Sequence, residues 1–280
     1  MESEMRTIIG QAAAASKASI PVREGDCIGE DGLLVCGRCG MPREIMVDFP
    51  FGKVKVNVEC RCDVERKEKD RIAYEQRMFD EMVAENRRAA FPNSDLAAAT
   101  FDKAGEDKYI SAGKRFVEHF NEFRRAGKGI LLYGGVGTGK TFLAACVANS
   151  LLDKGYRVAM TDIRRVSNEL FGRTDGKQAY IDRLCQNDLL VIDDLAAERA
   201  TEYMSEIAYT VINSRYQTRL PLIVTTNLTV EQLKHPKTQA EERIYSRILE
   251  MCHPVKVEGD DRRRIRAASE YTKTNQLLGL

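Results

Sequence analysis

Eight consecutive residues, Gly134, Gly135, Val136, Gly137, Thr138, Gly139, Lys140 and Thr141, carry the strongest chemical signal in this 280-residue sequence. Glycines let the main chain turn at little steric cost and aim several N–H groups at one anion. A lysine and a hydroxyl closing such a turn suit a polyphosphate and its magnesium ion, and the pattern G-x-x-x-x-G-K-[ST] is complete here. Lys140 would then face the β- and γ-phosphates of ATP, and Thr141 would offer a hydroxyl to Mg²⁺. The bland alternative is a glycine-rich turn with a chance lysine. The flanks argue against it. The apolar run Ile130–Tyr133 leads in, and a helical pattern over Phe142–Leu152 leads out, adding the positive end of a helix dipole.

A second set of groups follows. Leu189–Ile192 reads as a buried strand that ends in Asp193 and Asp194. Carboxylates at the C-terminal end of a strand lie where ligands bind in open α/β sheets. Asp193 is the candidate for Mg²⁺, directly or through water, and Asp194 for orienting an attacking water. Thr225, Thr226 and Asn227 close the next strand, a weak signal alone because such residues often end strands. An arginine pair, Arg243 and Arg247, lies further on.

The third set is made of thiols. Cys36 and Cys39 form C-x₂-C; after a 20-residue gap Cys60 and Cys62 form C-x-C. Four thiolates suit one tetrahedral Zn²⁺ and leave no open position, so the role read is structural. A module of about 40 residues buries too little to fold alone, and bound zinc contributes on the order of 10 kcal/mol. Cys27 has no partner spacing. His119, His235 and His253 lie outside the module, and Cys146, Cys185 and Cys252 read as ordinary core or surface residues.

Elements must hold these groups together. Strands are predicted at Lys53–Val58, Ile130–Tyr133, Tyr156–Thr161, Leu189–Ile192, Leu222–Thr226 and Pro254–Val257. Short apolar strands alternating with helices imply a parallel sheet covered on both faces. From Asp63 to about Arg88 the chain is dense in both charges and reads as a long helix, a solvated connector that ends at Pro92–Asp95. The division expected is a zinc-binding domain at 1–62, a helical linker at 63–98 and an ATPase domain at 99–280. Residues 1 to about 24 read as poorly ordered or weakly helical, without the basic start and continuous apolar stretch of a signal peptide. No apolar run reaches the length of a membrane span, so a cytoplasmic protein without a membrane partner is expected. Net charge is +1, which restricts any polyanion site to a local patch. Arg164, Arg165, Arg173, Lys177 and Arg183, with Phe171 and Tyr180 nearby, are the candidate for single-stranded DNA, weighed evenly against a solvated helical face.

Residues from about 99 to 272 resemble the AAA+ ATPases of the DnaC-type helicase loaders and their relatives, the IstB-type transposition helpers. The resemblance implies a five-stranded parallel sheet in the order 5-1-4-3-2. It implies that Asn227 is the sensor I residue. Glu242-Arg243-Ile244-Tyr245-Ser246-Arg247 is similar to the segment holding the arginine finger, which puts Arg247 first and Arg243 in reserve. Gly259–Arg263 is similar to the final Gly-x-Ser-Tyr-Arg segment, making Arg263 the sensor II candidate among three consecutive arginines. The cysteine region resembles the N-terminal zinc region of phage-encoded and Gram-positive DnaC-like proteins. The function implied is ATP-dependent loading of a hexameric replicative DNA helicase onto single-stranded DNA by a homo-oligomer. A transposition helper that recruits a transposase is the alternative, and a non-hydrolysing ATP sensor is a third reading.

Overall fold

The structure, a computed structural model, describes residues 22–50, 52–92, 94–104, 107–173, 175–195 and 201–278. The reading of the first 24 residues falls almost wholly outside this range. The chain divides into two compact units, 1–79 and 80–280.

The first unit contains two small antiparallel sheets. One pairs β1 (Cys27–Ile28) with β2 (Leu34–Val35). The other pairs β3 (Glu44–Phe49) with β4 (Gly52–Asn57), with Glu44 opposite Asn57. Helix α1 (Arg61–Ala90) begins in this unit. Among the described residues the unit's buried apolar set is small, with Leu33, Leu34, Cys36 and Cys60 its members. Buried ion pairs stand beside it: Arg43 bonds Asp26 and lies 3.6 Å from Asp63, all three with nearly inaccessible side chains.

The second unit takes in the last turns of α1, and these are not a solvated connector. Val83, Ala90 and Phe91 are buried, and Arg87 donates to Asn149 Oδ1 at 3.1 Å and pairs with Asp153. Two short 3₁₀ turns, Asp95–Ala98 and Phe101–Lys103, lead to α2 (Lys108–Glu118) and α3 (Phe120–Ala126). The remaining order is β5 (Gly129–Tyr133), α4 (Lys140–Asp153), β6 (Val158–Thr161), α5 (Ile163–Phe171), α6 (Lys177–Cys185), β7 (Leu189–Leu195), α7 (Glu202–Thr218), β8 (Leu222–Thr226), α8 (Val230–Lys234), α9 (Gln239–Met251), β9 (Cys252–Lys256) and α10 (Arg262–Leu278).

β5 to β9 form one five-stranded sheet in the order β6-β7-β8-β5-β9, every pairing parallel. Counted along the chain from the β9 edge, that is 5-1-4-3-2. Strand alternation feeds two cores. Ile130, Leu132, Leu189, Val191 and Ile223 pack with α2, α3 and α4 on one face. Leu131, Leu190, Ile192, Leu222 and Val224 pack with helices α5 to α9 on the other. Each such side chain taken from water contributes about 1.5–3 kcal/mol. Pro254 is tolerated because β9 is an edge strand that pairs only with β5. Helix α4 is apolar nearly all round, as a helix buried on most of its surface must be. Its one buried amide, Asn149, donates to Leu96 O and Ala99 O at 2.8 and 3.0 Å.

Arg215 of α7 ties the end of the sheet opposite the phosphate loop. Its side chain is fully buried. The guanidinium donates to the carbonyls of Cys185, Asn187, Asp188 and Pro221. These carbonyls lie at the C-terminus of α6 and on the approaches to β7 and β8. Burial pushes its pKa down to about 10, still far above neutral pH, so the group stays charged. Arg215→Met keeps the bulk and removes every donor. It should lower the unfolding free energy by about 3 kcal/mol or more, measured by urea denaturation.

Candidate functional site

The nucleotide-type site forms where β5, β7 and β8 end. The loop 134–139 joins β5 to α4, so its N–H groups and the α4 N-terminus face one point. Two of its glycines cannot be replaced. Gly134 has φ 147° and a Cβ there would meet Val257 O at 2.2 Å. Gly137 has φ 77° and a Cβ there would strike the Asp261 carboxylate at 1.9 Å. Gly139 is also left-handed, at φ 96°. Gly135, like Gly137 a free position of the pattern, is not left-handed, and a Cβ on it would meet only an ordinary contact with Thr138 at 3.7 Å.

Lys140 is buried and donates to Gly134 O (2.9 Å), Gly135 O (2.6 Å) and Asn227 Oδ1 (2.8 Å). Burial lowers its pKa, and Asp194 and Asp193 act in the opposite direction. Thr141 Oγ1 donates to Asp193 Oδ1 at 2.8 Å. Asn227 Nδ2 lies 3.3 Å from Asp194 Oδ1. The structure therefore brings Lys140, Thr141, Asp193, Asp194 and Asn227 to one place. Desolvation, then the neighbouring Asp193, raises the Asp194 pKa.

The three consecutive arginines have separate settings. Arg262 N–H donates to Gly137 O at 3.0 Å, and its guanidinium lies over Gly139 and 3.3 Å from Asp107. Arg263 is the one whose charge acts on both Lys140 and Asp194. Arg264 pairs with Asp261 at 3.5 Å. Sequence reasoning missed Asp261. Its carboxylate caps α10, accepting from the N–H groups of Arg263 and Arg264 at 3.0 and 3.4 Å, while it lies against Gly137.

Arg247 does not approach this site within the chain. Its guanidinium lies over Tyr209 and Tyr216, 5.2 and 5.7 Å from the ring centroids, and donates to Arg243 O at 2.7 Å. Arg243, one turn earlier, is exposed. Arg247 is thus held by its own helix and two rings. The basic residues of α5, α6 and the segment between them, Arg164, Arg165, Arg173, Lys177 and Arg183, are all exposed. Phe171 beside them is 81% accessible, and Arg173 lies over Tyr180 at 5.2 Å.

The second site is in the first unit. The Sγ atoms of Cys36, Cys39, Cys60 and Cys62 all lie within 4.8 Å of one another. Thiolates around a tetrahedral zinc at about 2.3 Å stand roughly 3.8 Å apart, so the set fits one such ion. Cys27 is exposed and outside the cluster. The Met41 amide pulls the Cys39 pKa down, to about 6, whereas burial pushes Cys60 up to about 12. Asp63, which sequence reasoning passed over, accepts from Cys60 Sγ at 3.2 Å. Burial raises its pKa, but Arg23 and Cys60 outweigh that and hold it at about 2.

The family described as IstB-like ATP binding protein matches residues 68–270. The chain belongs to that family. It is 28% identical to the replicative helicase loader DnaI of Bacillus subtilis (strain 168) over 198 residues, 63% of this chain and 62% of DnaI. It is 28% identical to the replicative helicase loader DnaC of Escherichia coli (strain K12) over 134 residues, 46% of this chain and 53% of DnaC. The chain thus spans under two thirds of either relative. A crystal structure of the DnaC helicase loader superposes with TM-score 0.51 at 24% identity, covering 58% of this chain and 98% of that one. That likeness supports the α/β fold with its parallel sheet. Membership makes ATP, with Mg²⁺, the ligand expected at the phosphate loop. Among the described residues no helix is long and apolar enough to cross a membrane.

The thiol cluster generates a direct check. In the purified protein a small alkylating reagent should label Cys27 quickly, while Cys36, Cys39, Cys60 and Cys62 resist until a chelator is added and then react together. Mass spectrometry of labelled peptides reads this, and labelling of Cys39 at the Cys27 rate without chelator would remove the metal reading.

Proposed function

We propose that the chain hydrolyses ATP at the phosphate loop and uses the cycle to load a replicative DNA helicase onto single-stranded DNA. One observation carries the ATPase part: a buried lysine, a hydroxyl, two carboxylates and an amide from β5–α4, β7 and β8 converge within hydrogen-bond distance. Mg²⁺ bound with ATP would neutralise phosphate charge as it develops. Lys140 exchanges its carbonyl partners for phosphate oxygens. Thr141 and Asp193 hold the metal side. Asp194 and Asn227, already paired, hold the water that attacks. Arg263 adds charge from the start of α10. Arg243 of a neighbouring copy is the better finger candidate on exposure, with Arg247 beneath it.

Support for the loader part comes from the two relatives, which are replicative helicase loaders, and from a four-thiol module preceding the ATPase. Zn²⁺ is the metal that four thiols at this spacing suit. The exposed basic face of α5 and α6 is the proposed contact for single-stranded DNA, and Arg243 requires a homo-oligomer. The transposition-helper reading remains the alternative because the matching family is itself described as IstB-like.

Lys140→Ala should lose ATP binding, and Asp194→Asn should bind ATP with turnover reduced at least about tenfold. Arg243→Ala should bind ATP normally and hydrolyse it about 10³-fold more slowly, with partial recovery on mixing with Lys140→Ala subunits. The deciding experiment is capture of a purified hexameric bacterial helicase by the full-length protein with ATP, followed by delivery to a single-stranded circle. Stable capture with ATP supports loading; DNA binding and ATP turnover without capture would transfer the proposal to the transposition helper.

A further inference from the structure

The register of β7 against β8 contains one irregularity, and it falls on the two carboxylates. Ile192 pairs with Val224, but the next pair is Leu195 with Thr226. Three steps along β7 match two along β8, so β7 carries one extra residue. Such a bulge leaves main-chain groups without ladder partners and re-aims side chains. Asp194 has φ 53°, the left-handed region. Aspartate tolerates that region better than most residues, but a single excursion still costs on the order of 1 kcal/mol.

Two threonine hydroxyls of β8 close the gap. Thr226 Oγ1 donates to Leu195 O at 2.7 Å. Thr225 Oγ1 accepts from the Asp194 N–H at 2.8 Å and donates to Asp193 Oδ1 at 2.6 Å. Thr225 is 1% accessible, so water cannot stand in for it. One hydroxyl thus fixes the main chain of Asp194 and the carboxylate of Asp193. Thr141 Oγ1 reaches the same oxygen, Asp193 Oδ1, from the other side. The Asp193 carboxylate is therefore clamped between the phosphate loop and β8.

We propose that Thr225 is a positioning residue for the ATPase site: through this single hydroxyl it aims Asp193 at the magnesium position and holds Asp194 in the left-handed turn that faces Asn227. Thr225 acts this way only if the site hydrolyses ATP as proposed above. Its hydroxyl is engaged by the Asp194 amide and the Asp193 carboxylate, so it acts through them. Outer partners of metal-holding carboxylates typically alter metal affinity or activity by about 10–100-fold when removed.

The test compares the wild-type chain with Thr225→Val, which keeps the shape and loses the hydroxyl, and Thr225→Ser, which keeps the hydroxyl. Three quantities are measured: binding of a fluorescent ATP analogue without Mg²⁺, turnover as a function of Mg²⁺, and Tm. Thr225→Val should bind the analogue without Mg²⁺ within a few-fold of wild type. Its half-activating Mg²⁺ concentration should rise about tenfold or more and its turnover at saturating Mg²⁺ fall at least about tenfold. Thr225→Ser should return both toward wild type. An unchanged Mg²⁺ requirement and turnover in Thr225→Val would overturn the inference. So would equal impairment of Thr225→Val and Thr225→Ser with a lowered Tm, the behaviour of a threonine that only packs. A wild-type chain that binds the analogue but never releases phosphate would instead overturn the ATPase reading, which separates the two failures.

Discussion

Neighbouring residues of a β-strand point to opposite faces of the sheet. A strand that ends in two adjacent carboxylates therefore sends only one of them to a given site unless its register breaks. In this protein it breaks between Ile192 and Leu195, and the extra residue lets Asp193 and Asp194 face the same loop. The break needs substitutes for lost ladder bonds, and two consecutive threonines on the adjacent strand provide them. The substitutes work only because β8 is a buried central strand whose hydroxyls have no competing water. The sheet order, the hydrophobic filling of both faces and the polar end of β8 are thus all conditions for one pair of carboxylates. A purely apolar β8 terminus would leave the Asp194 amide and the Leu195 carbonyl unpaired at a cost of about 1–3 kcal/mol each.

Charge at the loop is balanced over a long sequence separation. Lys140 is buried enough for desolvation to lower its pKa, yet Asp193 and Asp194 favour its charged form. Arg263, more than 100 positions further along the chain, weakens that favour by like-charge repulsion and at the same time favours ionised Asp194. The segment reaches the loop because Arg262 N–H bonds Gly137 O and Asp261 fills the space that Gly137 leaves open. Gly137 therefore serves two ends, a left-handed main chain and room for a neighbour's carboxylate. Any movement of α10 is transmitted to the phosphate loop by direct contact.

The parts legible in the sequence were those whose signal is local. Apolar runs of three or four residues marked β5, β7 and β8, because a strand covered on both faces needs apolar residues at consecutive positions. Spacing alone selected the four clustered cysteines and set Cys27 aside. The glycine pattern located the loop but leaves Gly135 and Gly137 alike as free positions: Gly137 is left-handed with the Asp261 carboxylate against it, and Gly135 is not. Contacts between distant segments were out of reach. Nothing near Arg247 indicates that Tyr209 and Tyr216 flank it, and nothing in a run of three arginines separates one on the loop from one facing Lys140. The end of α1 was read as solvated because charge dominates its composition. Three residues in or just past its last turns, Val83, Ala90 and Phe91, are nonetheless buried. Thr225 was visible as a polar strand terminus, but its role depends on a register shift in the strand beside it.

The N-terminal unit meets a different constraint, a shortage of apolar area. Where a larger domain would bury leucines, this one buries Arg43 with Asp26 and Asp63. Buried ion pairs seldom improve on an apolar core of the same volume, and losing one partner strands a charge. Their presence here is intelligible through what they hold. Asp26 accepts from the Gly37 amide, inside the first cysteine pair, and Asp63 accepts from Cys60 in the second. Arg43 lies between those two aspartates, so one guanidinium links both halves of the cluster. The thiols are pulled in opposite directions, Cys39 toward the thiolate by the Met41 amide and Cys60 toward the thiol by burial. A cation bound by all four would favour the thiolate at every member and offset the desolvation that opposes it. With such a cation in place, the ion-pair network would orient the ligands, and the ion would contribute the free energy that so small a core lacks.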